Sequence, residues 1–206
     1  MKQLWVEKYR PNTLDGYVFV DQAQREQVQQ WIRDGSIPHL MLSGSAGTGK
    51  TTLAKMLINE LAVDDFDVMY ANGSKEARKI EWVDRLISFC QTMPFGKFKV
   101  VLIDEADYMN KESVQPALRN LMEDYSDTVR FILTCNYPHK IIAPIHSRCQ
   151  GFHITKTDHT EFTARVATVL VTEGVEFDLD TLDSYVKATY PDLRKCLNLV
   201  QMNSNS

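Results

Sequence analysis

The 206-residue sequence contains no C-x-x-C pair. Its four cysteines, Cys90, Cys135, Cys149 and Cys196, lie far apart, which excludes a zinc knuckle or a disulfide framework and points to a reduced, cytoplasmic compartment. Long apolar runs are missing too: stretches such as Val100–Ile103 fall far short of the ~20 residues a membrane helix needs. The opening MKQLWVEKYRPN carries no apolar h-region that would address the chain to export. Positive charge is not in excess, with 23 Lys+Arg against 27 Asp+Glu and a formal net charge of −4, so any hold on nucleic acid requires a local basic patch. No internal repeat is present. A 10% aromatic content and many β-branched runs exclude disorder. The length suits one large domain, or one domain with a small appendage.

Apolar runs alternate with helical periodicity through most of the chain. His39–Ser43, Val68–Ala71, Val100–Ile103 and Val129–Thr134 read as strands, and Lys50–Leu61, Ile80–Phe89 and Glu112–Met122 as helices. Strands apolar on both faces, separated by helices, predict an α/β structure with a parallel sheet sandwiched by helices. The texture changes after Ile154. Phe162–Thr172, preceded by a cap at Thr157-Asp158 and closed by Gly174, is followed by helices over Leu179–Ala188 and Pro191–Met202, the last with proline at its start. The expected division is therefore residues 1–155 as the sheet domain and 156–206 as a small all-helical lid, with a polar, frayed tail over Gln201–Ser206.

Gly44-Ser45-Ala46-Gly47-Thr48-Gly49-Lys50-Thr51 fits G-x-x-x-x-G-K-[ST] between a predicted strand and a predicted helix, the context a P-loop requires. Glycines let successive backbone N–H groups turn inward around an anion, and the helix N-terminus adds partial positive charge. Lys50 is placed for the β- and γ-phosphates of ATP and the Thr51 hydroxyl for Mg²⁺. Residues 100–105 then set Asp104 and Glu105 at the carboxyl end of a buried strand, the sheet edge where ligands bind. Asp104 suits Mg²⁺, and Glu105, pointing to the other side of the strand, suits activation of a water for in-line attack. The run Asp104-Glu105-Ala106-Asp107 also spells the box of a helicase family, but the Ser-Ala-Thr motif and second RecA-like domain of those enzymes are missing.

Tyr9-Arg10-Pro11, the loop GSAGTGKTT, the strand end IDEAD, Thr134-Cys135-Asn136, Ser147-Arg148-Cys149 and Pro191-Asp192-Leu193-Arg194 occur in the order seen in AAA+ clamp-loader ATPase subunits, which the chain resembles over essentially its whole length. Within that family it is most similar to the large subunit of T4-type phage sliding-clamp loaders, which also lack zinc-binding cysteines. The resemblance implies an AAA+ P-loop NTPase fold, a RecA-like sheet followed by a lid, and an ATPase that opens a sliding clamp and loads it onto primer–template DNA. It implies Asn136 as the polar sensor of the attacking water, Arg148 as an arginine finger supplied to a neighbouring subunit, and Arg194 as a lid sensor of the γ-phosphate. It further implies that residues 6–18 pack around adenine, with Tyr9, Arg10 and Pro11 lining the pocket, and that Thr52 completes the phosphate loop. The implied partners are primer–template DNA, the clamp, a clamp-loader small subunit and like subunits in a ring or spiral, within the host cytoplasm if the chain is phage-encoded.

Arg78 and Arg85, seven residues apart on one predicted helix, fall on one face with Lys75 and Lys79 nearby. Arg119 sits on the next helix. In the family these two helices face a central channel and track one DNA strand; Asn72 and Ser74, at the end of the second predicted strand, are expected to link DNA to Glu105. Family subunits continue past the lid into a helical collar, which this sequence lacks, so the expectation is either truncation or an assembly that relies on the ATPase interfaces alone. Two other readings stay open: a different AAA+ machine such as a Holliday-junction motor or a replication initiator, and a nucleotide-switched binding module without turnover. The Ser-Arg-Cys triplet and Tyr-Arg-Pro speak against the first, and Glu105 against the second.

Overall fold

The computed structural model describes residues 3–155 and 157–204. Its centre is a five-stranded, wholly parallel sheet, formed by β1 (Leu40–Ser43), β2 (Val68–Asn72), β3 (Lys99–Asp104), β4 (Val129–Cys135) and β5 (Gln150–His153) in the spatial order β2-β3-β4-β1-β5. The two-residue period of a strand divides the side chains cleanly. Val101 and Ile103 of β3 enter one core with Phe131 and Leu133, while Val100 and Leu102 enter the opposite core with Leu40 and Leu42. With both faces buried, the central strands β1, β3 and β4 read as apolar runs, as the sequence indicates.

One core is covered by α4 (Glu81–Gln91) and α5 (Val114–Asp124), through Trp82, Val83, Leu86, Leu118 and Met122. The other is covered by α2 (Gln22–Asp34) and α3 (Lys50–Glu60), through Val28, Trp31, Leu53 and Leu57. Sequence periodicity misses α2, because only Val28 and Trp31 of its thirteen residues are buried. Its ends are nevertheless signalled: Asp21 Oδ1 accepts from Gln24 N at 2.8 Å, and Gly35 closes the helix at φ 61°. Edge strand β5 is missed for a related reason, since Phe152 is its only buried residue.

A third core joins α7 (His159–Thr172), α8 (Leu179–Thr189) and α9 (Leu193–Ser204) through Phe162, Val166, Leu182, Val186, Leu197 and Val200. Asp158 caps α7 at the expected place, accepting from Glu161 N at 2.8 Å. Pro191 does not open α9. Asp192 is its cap, accepting from Lys195 N at 3.0 Å, and Leu193 is its first residue. Nor is the end of the chain frayed over 201–204: α9 continues to Ser204, while Asn205 and Ser206 lie outside the described residues. Buried Gln201 accepts from Trp5 N and donates to Gln3 O, each at 3.0 Å. The short α1 (Trp5–Lys8) thereby packs on α9, with Trp5 in the third core. Glu173 at the end of α7 tightens the same joint, accepting from Lys8 Nζ at 2.7 Å and Tyr9 OH at 2.6 Å. The N-terminal arm is thus seated on the lid helices. A short helix α6 (Ala143–His146) precedes β5.

Candidate nucleotide site

The parallel register brings the carboxyl ends of β1, β3 and β4 together, with Ser43 beside Cys135 and Ile103 beside Leu133. The loop 44–49 leaves β1 there and opens α3 at Lys50. Two of its glycines are obligatory. A Cβ on Gly44 (φ 152°) would stand 2.0 Å from Ile154 O, and one on Gly47 (φ 78°) would stand 2.4 Å from the Asp192 carboxylate. Asp192 therefore brings the start of α9 down onto the loop. Thr48 Oγ1 braces the turn by donating to Ser45 O at 2.9 Å.

Lys50 is buried and donates to Gly44 O at 2.9 Å and Ser45 O at 2.6 Å. Burial holds its pKa below the ordinary lysine value, and nearby Cys135, Asp104 and Asp107 oppose the shift. Next along α3, Thr51 Oγ1 donates to Asp104 Oδ1 at 2.8 Å. A carboxylate and a hydroxyl meeting at the mouth of a phosphate loop form an oxygen donor set, which fits Mg²⁺ completed by phosphate and water oxygens. The described residues contain no cluster of three or more His, Cys, Asp or Glu side chains able to hold a metal without such outside ligands.

Glu105 lies just beyond β3, so strand alternation does not aim it. It adopts a left-handed conformation at φ 54°, uncommon for a non-glycine residue. Its backbone N–H donates to Thr134 Oγ1 at 3.1 Å, and Thr134 Oγ1 also hydrogen-bonds to Asp104 Oδ1. The Glu105 carboxylate accepts from Ser74 Oγ at 2.6 Å, and that hydroxyl also lies 2.6 Å from Asn72 Oδ1. Asn72 and Ser74 thus touch Glu105 directly or through one hydroxyl.

Asn136 follows β4 and lines a polar cleft with Ser45, Ala46, Tyr137, His153 and Thr155. Its turn is held by Asp107, whose Oδ2 accepts from Tyr137 N at 3.2 Å and whose Oδ1 is buried without a partner among the described residues. A second cleft runs between the phosphate loop and the start of α9. Val6, Tyr9, Arg10, Pro11, Tyr17 and Val18 form one wall, and Pro191, Leu193, Arg194 and Leu197 another. Gly47, Thr48, Gly49 and Thr52 make the floor. Tyr17 packs over Gly49 and raises its hydroxyl to 3.4 Å from Gly49 O, its pKa pushed up by burial. The structure thus brings together Tyr9, Arg10, Pro11, residues 44–52, Asp104, Glu105, Asn136 and Arg194.

Arg148 lines neither cleft. It pairs with Glu123 and donates to Pro144 O at 2.6 Å. The basic stripe also differs from its expected form. Arg78 ends a separate 3₁₀ turn (Glu76–Arg78), and α4 begins only at Glu81, so Arg78 and Arg85 do not share one helix and their seven-residue spacing does not define a common face. The break follows from Lys79, whose backbone is extended between the two helices. Lys75, Arg78, Lys79 and Arg85 are nevertheless exposed, and Arg119 lies on α5, which packs against α4. Sequence reading gives no individual role to Thr134, Asp107 or Tyr17, although they fall in the Thr134-Cys135-Asn136 triplet, the IDEAD run and residues 6–18.

Residues 40–157 match the family described as "ATPase family associated with various cellular activities (AAA)". The chain is 39% identical to the "Replication factor C small subunit" of Sulfurisphaera tokodaii, covering 98% of this chain and 62% of the relative. It is 38% identical to the protein of the same name from Aeropyrum pernix, covering 99% of this chain and 63% of that one. The chain thus spans less than two thirds of the length of these curated relatives. Among solved structures, the Thermotoga maritima RuvB Holliday junction branch migration motor superimposes with a TM-score of 0.77 at 19% identity, over 94% of this chain and 64% of that one. That likeness establishes a common fold. With a phosphate loop at the end of β1, paired acids at the end of β3 and a family match over more than half its length, the chain belongs to the AAA family of ATPases.

Proposed function

We propose that the chain is an ATP-hydrolysing subunit of a sliding-clamp loader, binding MgATP between its sheet domain and its lid and completing the site of an adjoining copy with Arg148. The observation that carries this reading is the convergence of Lys50, Thr51, Asp104 and Glu105 at one sheet edge, while Arg148 stays outside both clefts. Lys50 and Arg194 bind the phosphates, and Thr51 and Asp104 hold Mg²⁺. When bound, the metal neutralises charge on the phosphate oxygens. Asn136 orients a water that Glu105 deprotonates for attack on the γ-phosphorus. The lid and the arm seated on it act as one body around the nucleotide, residues 1–155 otherwise forming the ATPase unit and 156–206 the lid.

Lys50→Ala is expected to weaken ATP binding about 10- to 100-fold, the worth of one charge-assisted contact to phosphate. Calorimetry on the folded variant reads this directly, and unchanged affinity would remove the phosphate-loop assignment.

The clamp-loader reading draws on relatives named for replication factor C and on two surfaces. Lys75, Arg78 and Arg85, with Arg119, form the proposed DNA contact. Lys75 directly follows Ser74, so DNA held there adjoins the Ser74–Glu105 link. The second surface is an apolar knuckle: the tilted rings of Phe66 and Phe95 lie 5.8 Å apart, and with Met93 each is more than three-quarters exposed. Buried Asp67 holds the knuckle by accepting from Phe95 N at 3.0 Å and Gly96 N at 2.7 Å, and Lys99 ties down its other side through Phe89 O at 2.8 Å. A rigid, exposed aromatic projection fits a protein groove, here assigned to the clamp. Phe95→Ala should weaken clamp binding about tenfold or more while leaving ATP affinity unchanged. Unaltered clamp affinity in a pull-down titration would exclude this face.

The finer assignment is to a T4-type phage large subunit, working in a host cytoplasm beside a separate small subunit. It is supported by the motif order and the lack of paired cysteines, whereas the named relatives are archaeal small subunits. Stimulation of ATP turnover by primer–template DNA together with a clamp would select a clamp loader over a Holliday-junction motor; stimulation by neither would reject it.

A further inference from the structure

Arg148 follows α6 in a tight turn, its backbone N–H donating to Ile145 O at 3.1 Å and that of Cys149 to the same oxygen at 3.2 Å. The guanidinium is tethered from two sides. Nη1 donates to Pro144 O at 2.6 Å and makes a long 3.5 Å contact to Ser147 Oγ, while Nη2 pairs with Glu123. Nε is buried and has no partner among the described residues. Of the five N–H groups of an arginine, Glu123 and Pro144 occupy one on each terminal nitrogen, which fixes the plane of the fork.

Glu123 is out of place for its helix. It lies in the last turn of α5 with Asp124, and that turn carries no basic residue. Negative charge at a helix C-terminus opposes the macrodipole, so Glu123 does not serve α5. The ion pair with Arg148 is the compensating contact the structure provides.

We propose that Glu123 is a positioning residue for Arg148, ordering the guanidinium before it meets the nucleotide of an adjoining copy. This rests on the reading of Arg148 as a group that acts in trans. A finger that reaches its phosphate with its rotamer already chosen loses less freedom on arrival, and misplacement by about 1 Å costs up to about 100-fold in rate. The glutamate touches no reacting atom and accepts no proton.

The test is steady-state ATP turnover by the full chain assembled with its like subunits. Glu123→Ala should lower kcat about tenfold or more at unchanged KM, and Glu123→Gln, whose amide oxygen still accepts from Nη2, should recover most of the loss. In an Arg148→Ala background, Glu123→Ala should change nothing further, a non-additivity that a general folding defect does not produce. Wild-type or raised kcat in Glu123→Ala would overturn the proposal, as would a loss that persists in full without Arg148. If Arg148→Ala itself leaves turnover intact, the trans reading falls. If Arg148→Ala is inactive and Glu123→Ala is not, only the role of Glu123 falls. An independent measurement uses the chain alone: NMR exchange of the Arg148 Nε–H, assigned by its disappearance in Arg148→Lys, should be slow in the wild type and about tenfold faster in Glu123→Ala. Equal rates would refute the tether.

Discussion

Arg148→Ala is expected to lower ATP turnover by the assembled protein about 10³- to 10⁵-fold while the substituted subunit binds ATP as tightly as the wild type. That loss corresponds to about 4–7 kcal/mol of transition-state stabilisation. The separation of binding from turnover follows from geometry. Arg148 does not line the cleft between the phosphate loop and α9, and its partners are Glu123 and Pro144. On the proposed reading, a cation supplied from outside would meet the γ-phosphate only when two copies adjoin, and so would act on the charge that develops in the reaction. Calorimetry and steady-state turnover on one preparation distinguish the two effects. A parallel fall in affinity would place Arg148 inside its own subunit's cleft and contradict the assignment.

Glu105→Gln should leave ATP affinity within about twofold of wild type and reduce single-turnover hydrolysis about 10²- to 10⁴-fold, the usual contribution of a general base. Glutamine has the same length and still accepts a hydrogen bond from Ser74 Oγ, now 2.6 Å from the carboxylate. The left-handed turn at φ 54° and the brace from Thr134 are backbone features that the substitution leaves in place. What glutamine lacks is a site for the proton of the attacking water. Lys50, Thr51 and Asp104, the residues proposed to hold the phosphates and the metal, are unaltered. Hydrolysis persisting at the wild-type rate would remove Glu105 from its role as base.

These two residues show what a linear sequence reveals. The phosphate loop and the Asp104-Glu105 pair are legible because their chemistry depends on short-range spacing: glycines at fixed offsets, and an acid at the end of an apolar run. The core of the sheet is legible for the same reason, since burial on both faces removes polar residues from consecutive positions. Helix 22–34 was hidden because it lies on the surface of its core and buries two side chains, too few for a periodic signal. The seven-residue interval from Arg78 to Arg85 implied a helical face, yet the chain turns between them, and propensity alone did not show the extended Lys79. Thr134, Asp107 and Tyr17 act across distances of about thirty residues in the chain, so only the fold reveals what they hold. The seating of the N-terminal arm on the lid is longer in range still, joining Trp5 to Gln201.

The measurement that tests the account most directly is complementation between two inactive variants, Arg148→Ala and Lys50→Ala, mixed and reassembled. The first retains an intact phosphate loop and the second an intact Arg148, so the account predicts that each preparation alone is inactive and that the mixture regains partial ATP turnover at seams joining one of each. A mixture as inactive as its components, although both assemble, would show that each subunit completes its own site and would contradict the account.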